Sequence, residues 1–343
     1  ALLDQGQLDA AIARYEQALC LDPEHVDAHC NKSLARLMKG DFAAGWPELE
    51  WRWKKTDAKP HGHLQPLWDG GPLNGKTILL HREQGLGDNI HFIRYARLVK
   101  EKGGTVVYYA PPPLVRLFNA VAGIDHIVTR KEDIPVCDCQ ASLLSLPWLL
   151  ETRLAAIPAG IPYLTPEPAL AAGWQQYLAA RAGLKVGIVW RGSPSFKNDH
   201  KRSIPATRML DLFKDSENVT FIGLQKEITP EETAVLGLYP AFLDVSRDLA
   251  DFADTAAVIA GLDLVISVDT AVAHLAGALG RPVWILLPFT PDWRWMLKRE
   301  DSPWYPTAHL FRQPEFGNWA PVFERVRSEL ALWSQGALGD ARK

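Results

Sequence analysis

Asp269-Thr-Ala-Val-Ala-His274-Leu-Ala-Gly-Ala-Leu-Gly280 is the stretch whose reading decides the fold. The apolar run Leu262-Asp-Leu-Val-Ile-Ser-Val268 leads into it, and Val283-Trp-Ile-Leu-Leu287 follows after Gly280-Arg-Pro282. Strand, polar turn, helix, glycine stop and strand make one βαβ unit. Asp269 and Thr270 then lie at the carboxyl end of a buried parallel strand, where ligands bind in open α/β sheets. His274 is four residues after Thr270, on the same helix face, and helical side chains tilt toward the N-terminus. An acid, a hydroxyl, an imidazole and free helix amides converge on one point, which suits a phosphate or diphosphate. The alternative is that Asp269 or Thr270 only caps the helix and His274 only packs.

A second turn of this kind lies far upstream. Lys76–His81 reads as a strand, Arg82-Glu-Gln-Gly85-Leu-Gly87-Asp88 as a turn, and 89–102 as a helix stopped at Gly103-Gly104. Gly85 and Gly87 permit close backbone approach to a ligand. Asp88 brings a carboxylate to the helix start, as a base or as an ordinary N-cap. Two other motifs fail on context. Gly70-Gly-Pro-Leu-Asn-Gly75-Lys76-Thr77 fits the phosphate-loop pattern but runs into a strand instead of opening a helix. Gly85-x-Gly87 has Ile90 where a dinucleotide fingerprint needs Gly or Ala, and the strand ending at Tyr109 lacks the acid that holds a ribose.

Strands and helices alternate on both sides of these turns. The first set has strands at 76–81, 105–109 and 124–129, with helices at 89–102 and 112–122. Prolines 158, 162, 166 and 168 mark a boundary. The second set has strands at 186–190, 220–224, 242–245, 264–268 and 283–287, with helices near 206–214, 230–237, 251–260 and 271–279. Strands separated by helices imply parallel sheets, so the fold class is α/β, with two doubly wound Rossmann-like domains flanking a cleft. The expected domains are 57–165 on the acceptor side and 166–315 on the donor side. A C-terminal helical segment, 316–343, is expected to cross back to the first domain.

Before them, Gly6-Gln-Leu8, Ala10-Ala11, Tyr15, Ala18-Leu19 and Asp22-Pro23 have the offsets of the second half of a tetratricopeptide unit. The next unit keeps the frame at His29, Ser33, Leu37 and Gly40-Asp-Phe42, then departs into Trp46–Trp53. Residues 1–56 are expected as a helical repeat segment that starts mid-repeat and docks on the first domain or on another chain, since one repeat cannot bury its own face. Residues 54–74 read as a linker, with His61-x-His63 solvated in it.

With 343 residues, net charge −3 and well-mixed charge, the chain carries no nucleic-acid footprint. No apolar run approaches a membrane span. Cys20, Cys30, Cys137 and Cys139 have neither the number for a disulfide scaffold nor zinc-site spacing. A cytoplasmic protein, or one peripheral to the inner membrane, is expected, with no metal required.

The Gly-x-Gly-Asp turn of the first half and the Asp-Thr-x-x-x-His motif of the second resemble the ADP-heptose–lipopolysaccharide heptosyltransferases, glycosyltransferases of GT-B architecture. Residues 76 to about 310 carry the resemblance, and the whole chain looks like a bacterial tetratricopeptide-repeat glycosyltransferase. The repeat-plus-GT-B layout is also similar to protein O-GlcNAc transferases. Position 271 is Ala where the heptosyltransferases have Gly, and those enzymes lack repeats. The resemblance implies that Asp88 is the base activating an acceptor hydroxyl. It implies that Asp269, Thr270 and His274 hold the donor diphosphate, and that Arg191, Lys197 and Lys201 form a basic loop on its phosphates. Gln225, at another strand end, is a candidate contact to base or ribose. The expected activity is inverting, metal-independent transfer from a nucleoside-diphosphate sugar to a glycan or protein hydroxyl. The competing reading is a non-catalytic scaffold that binds a protein partner through its repeats.

Overall fold

The computed structural model describes residues 2–55, 65–214, 216 and 218–336. His61 and His63 fall outside the described residues. The chain divides into two compact units. The first holds the residues up to Val115, then Val121–Ala159 and Thr290–Arg299; the second holds Arg116–Ala120, Gly160–Phe289 and the chain from Glu300 onward.

In the first unit, strands β1 (Thr77–His81), β2 (Thr105–Tyr109), β3 (His126–Val128) and β4 (Cys139–Ser142) form one sheet in the order β3-β2-β1-β4. All pairings are parallel. Ile78, Leu79, Leu80, Val106, Val107 and Tyr108 are buried, the apolar run expected of a parallel strand covered on both faces. β4 was not legible as a strand: Cys-Gln-Ala-Ser carries no apolar run. It is buried by pairing with β1, Ile78 opposite Cys139.

Three helices precede the sheet: α1 (Leu8–Leu21), α2 (Val26–Lys39) and α3 (Phe42–Leu49). Gly40 ends α2 in the left-handed region at φ 88°, the conformation that favours glycine at a helix C-terminus. Asp41 caps α3 by accepting from the Ala44 amide. Pro47 inside α3 is followed by a tight 3-10 turn over Glu50–Lys54. The repeat segment docks on the first domain, one of the two expected outcomes, and it belongs to the same unit as that sheet. Trp46 is buried and its indole donates to the Thr152 carbonyl at 2.9 Å. Arg52 donates to both Glu83 oxygens at 2.8 and 2.9 Å and to the Ser145 hydroxyl at 2.8 Å. Ser145 in turn donates to Glu50.

In the second unit, β5 (Leu184–Val189), β6 (Val219–Gly223), β7 (Phe242–Asp244), β8 (Leu264–Val268), β9 (Val283–Leu287) and β10 (Ala308–Arg312) form a parallel sheet ordered β10-β9-β8-β5-β6-β7. The C-terminal helix Ala320–Ser334, expected to cross back, belongs to this second unit. Val322, Phe323, Val326, Leu330 and Trp333 pack into this unit's core with Trp284 and Phe311. The apolar stripe it carries is consumed there. The segment that returns to the first unit is Thr290–Arg299.

The fold class is therefore α/β, two doubly wound parallel-sheet units behind a short repeat segment. Among the described residues, no helix is long and apolar enough to cross a membrane.

Candidate functional site

Strand order reverses once in each sheet, and at such switch points the loops leave in opposite directions and open a crevice. In the second unit the reversal lies between β5 and β8. The loop after β5 carries Arg191, Lys197 and Lys201; the turn after β8 carries Asp269 and Thr270. In the first unit it lies between β1 and β4, and the turn after β1 carries Gly85, Gly87 and Asp88.

Thr270 is the N-cap residue of the helix Ala271–Ala278, but its side chain makes no cap bond; its hydroxyl pairs with Ser267 Oγ at 3.0 Å. The capping alternative thus does not account for that hydroxyl. His274 is buried, with Nδ1 3.0 Å from the Tyr305 hydroxyl and Nε2 3.9 Å from Asp269 Oδ1. The second distance is too long for a direct hydrogen bond. Gly277 makes the Tyr305 contact feasible, since a Cβ there would lie 2.4 Å from the tyrosine ring.

The basic loop departs from the sequence expectation. The Arg191 guanidinium is committed to Glu232, donating at 2.9 and 3.1 Å. Burial pushes the Glu232 carboxyl up, yet hydrogen bonds from Arg191 and from the Trp190 indole hold it below the ordinary glutamate range. Arg191 is thereby paired with a carboxylate of its own unit in this structure. Gln225 is buried and accepts from the Arg191 amide at 3.3 Å, so it braces the end of β5. Lys197 is exposed, and Lys201 is half-buried in the short helix Asp199–Arg202. The residue missed from sequence is Arg202. It donates to the Asp269 carbonyl, its Nε lies 3.0 Å from Asp199, and its guanidinium sits 4.6 Å from the Phe196 ring centre. One signal was available: Arg202 shares the loop's basic cluster with Lys201.

In the first unit, α4 (Leu86–Phe92) begins at Gly85, and Asp88 is its third residue, not its N-cap. Asp88 Oδ2 accepts from the Gly85 amide at 3.0 Å, while Oδ1 pairs with Arg294. Asn89 fixes the turn: it donates to the Gly85 carbonyl at 2.7 Å and accepts from the Tyr108 hydroxyl at 2.6 Å. The left-handed residue of the turn is Gln84, at φ 60°, whereas Gly85 is extended. The glycines were expected to give backbone access. In the turn Gly85 serves as the cap, and Gly87 lies within the first turn of α4. Burial raises the Asp88 carboxyl above the ordinary aspartate range; Arg294 and the Gly85 amide oppose that shift, while Asp292 and Glu83 add to it. An open cavity of about 930 Å³ adjoins this turn, lined among others by Arg52, Trp53, Arg82, Gly85, Tyr109 and Arg294. Among the described residues, no group of three or more His, Cys, Asp or Glu could hold a metal ion.

The class defined by fold and motif is a GT-B glycosyltransferase fold carrying tetratricopeptide helices. Residues 1–40 match the tetratricopeptide repeat model, and residues 248–316 match glycosyltransferase family 9 (heptosyltransferase), a span that contains Asp269, Thr270 and His274. Among curated proteins, protein FlbA of Caulobacter vibrioides is 29% identical over 96% of this chain. The chain spans 60% of that relative's length. Tetratricopeptide repeat protein 36 of Homo sapiens is 33% identical over 28% of this chain and 48% of its own length. Among solved structures, the glycosyl transferase family 9 protein from Veillonella parvula superposes with a TM-score of 0.52 at 12% identity, covering 79% of this chain and all of that one.

Proposed function

We propose that the protein is an inverting, metal-independent glycosyltransferase that moves a sugar from a nucleoside-diphosphate sugar to a hydroxyl of a glycan or protein. The observation that carries this reading is the clustering of Asp269, Thr270 and His274, which lie within the segment that matches family 9, with Arg202 at the β5/β8 switch point. Asp88 takes the proton from the acceptor hydroxyl. The oxygen attacks the anomeric carbon from the face opposite the nucleotide, the carbon–oxygen bond to the diphosphate breaks, and the configuration inverts. Lys201, His274, the amides at the start of Ala271–Ala278 and the loop ordered by Arg202 offset the charge that builds on the departing diphosphate. The cavity beside the Gly85 turn receives the acceptor, its Trp53 and Tyr109 faces suited to sugar rings.

A thermal-shift screen of ADP-, UDP-, GDP- and CMP-sugars tests the reading, because a ligand that binds only the folded state raises its melting point. One donor class is expected to raise it and to be turned over. No shift and no turnover with any of them would favour the scaffold reading.

Lys201→Ala or His274→Ala is expected to weaken binding of the bare nucleoside diphosphate by roughly 1.5–3 kcal/mol each, the range for hydrogen bonds to charged groups. Calorimetry without any sugar reads this directly. Unchanged affinity in both variants would sink the phosphate assignment. Lys197→Ala, at an exposed position, should have the smaller effect.

Dialysis against EDTA should leave turnover unchanged, since the cations named above are of the protein's own making. A loss restored by Mg²⁺ or Mn²⁺ would overturn the metal-independent part of the proposal.

A further inference from the structure

The Thr290–Arg299 segment belongs to the first unit and meets Asp88 there through Arg294. Arg294 is 7% exposed at its side chain. One guanidinium nitrogen pairs with Asp88 Oδ1 and another donates to Asp292 Oδ1 at 2.8 Å. Its planar head lies 4.4 Å from the Trp293 ring centre and 5.2 Å from that of Phe92. Trp293 is in turn packed against repeat helix α3, with ring centres 5.3 Å from Trp46 and 6.4 Å from Phe42. The fit extends to Met296: a Cβ on Gly40, at the end of α2, would lie 2.8 Å from the Met296 methyl.

We propose that Arg294 is a positioning residue for Asp88, and that the repeat helices hold Arg294 in place, so that the repeat segment forms part of the support of the base. The inference rests on the reading of Asp88 as the base. A base must be ionised before it can accept a proton. The groups facing Asp88 are Glu83 and the Gly85 amide from the turn after β1, and Asp292 and Arg294 from the returning segment. Glu83 is itself held by Arg52 of the repeat segment. Burial, Asp292 and Glu83 all favour the protonated acid; among side chains, the Arg294 guanidinium opposes them. A planar fork shared between two carboxylates and stacked on two rings also fixes where the Asp88 oxygens point.

The sign follows. Asp88 works only while ionised, so activity falls as pH drops through its pKa. Removing Arg294 raises that pKa and moves the acid limb of kcat/KM to higher pH. The test is an NMR titration of carboxyl-labelled Asp88 in the full chain, read beside the pH–rate profile. Arg294→Met keeps much of the apolar contact and should raise the Asp88 pKa by about one to three units, the span of a neighbouring guanidinium's effect. Arg294→Lys should shift it less, and remains readable if the Met variant does not fold. Phe42→Leu, which loosens Trp293 without touching Asp88, should move it in the same direction. An unmoved Asp88 pKa in the Arg294 variants overturns the positioning role. A shift there but none in Phe42→Leu overturns the part played by the repeats. The NMR reading is independent of turnover: if Asp88→Asn proves fully active, the base assignment fails while the electrostatic coupling is still measured.

Discussion

Asp88→Asn is expected to lower turnover by at least ~10²-fold, the lower end of what a positioned general base contributes. The substitution is chosen because Asn can still accept the Gly85 amide bond that Asp88 Oδ2 makes at 3.0 Å, so the α4 start survives. Its cost to the fold comes from the other oxygen. Arg294 loses one charged partner and keeps Asp292 at 2.8 Å. Breaking a buried pair outright costs roughly 3–5 kcal/mol, and a retained second carboxylate keeps the loss below that. A melting curve therefore accompanies the kinetics. The motif proposed to hold the donor belongs to the second unit, so calorimetric affinity for the nucleoside diphosphate should match the parent. A folded Asp88→Asn variant that turns over at the parental rate would show that the carboxylate only braces the turn and pairs with Arg294.

The parts of the fold that were legible are those whose burial is written in adjacent residues. β2, β8 and β9 are legible to their ends, because Thr105–Tyr109, Leu264–Val268 and Val283–Leu287 are apolar runs bounded by glycine, proline or polar residues. β4 and β10 were missed: Cys139–Ser142 and Ala308–Arg312 owe their place to neighbouring strands, not to their own hydropathy. The helix Pro168–Ala179 is not legible because Pro166 and Pro168 read as a boundary, whereas Pro168 occupies the helix's first turn, where its missing amide proton costs nothing. For the site, the motif residues were legible because turn chemistry is local. Their partners were not. The Arg191–Glu232, Arg202–Asp269 and Arg294–Asp88 pairings span 41, 67 and 206 residues of sequence, distances at which spacing carries no signal. The expected C-terminal brace failed for the same reason: amphipathic character in 320–334 says that a face is buried, not against what.

Deleting residues 1–53 is expected to give an aggregation-prone protein, because that segment supplies half of several buried contacts in the first unit. Without it the Thr152 carbonyl loses the Trp46 indole, Glu83 loses Arg52, Ser145 loses Glu50, and Trp293 loses the Phe42 and Trp46 rings. The uncovered aromatic surface is of the kind that drives association, and an unpaired buried polar group costs about 1–3 kcal/mol on its own. Trp46→Ala isolates the core of this effect. Truncating a buried Trp costs roughly 3–5 kcal/mol, so the first unit should melt markedly earlier. The second unit has its own core around Trp284, Phe311 and the helix Ala320–Ser334, which the substitution does not reach. Folded Trp46→Ala protein should therefore bind the nucleoside diphosphate with parental affinity while losing turnover, because the damage falls on the unit that carries Asp88. A truncated protein that stays soluble and monomeric and melts at the parental temperature would make the repeat helices an independent adapter. A selective loss of nucleotide affinity in folded Trp46→Ala would mean that the repeat segment supports the donor site as well as the base.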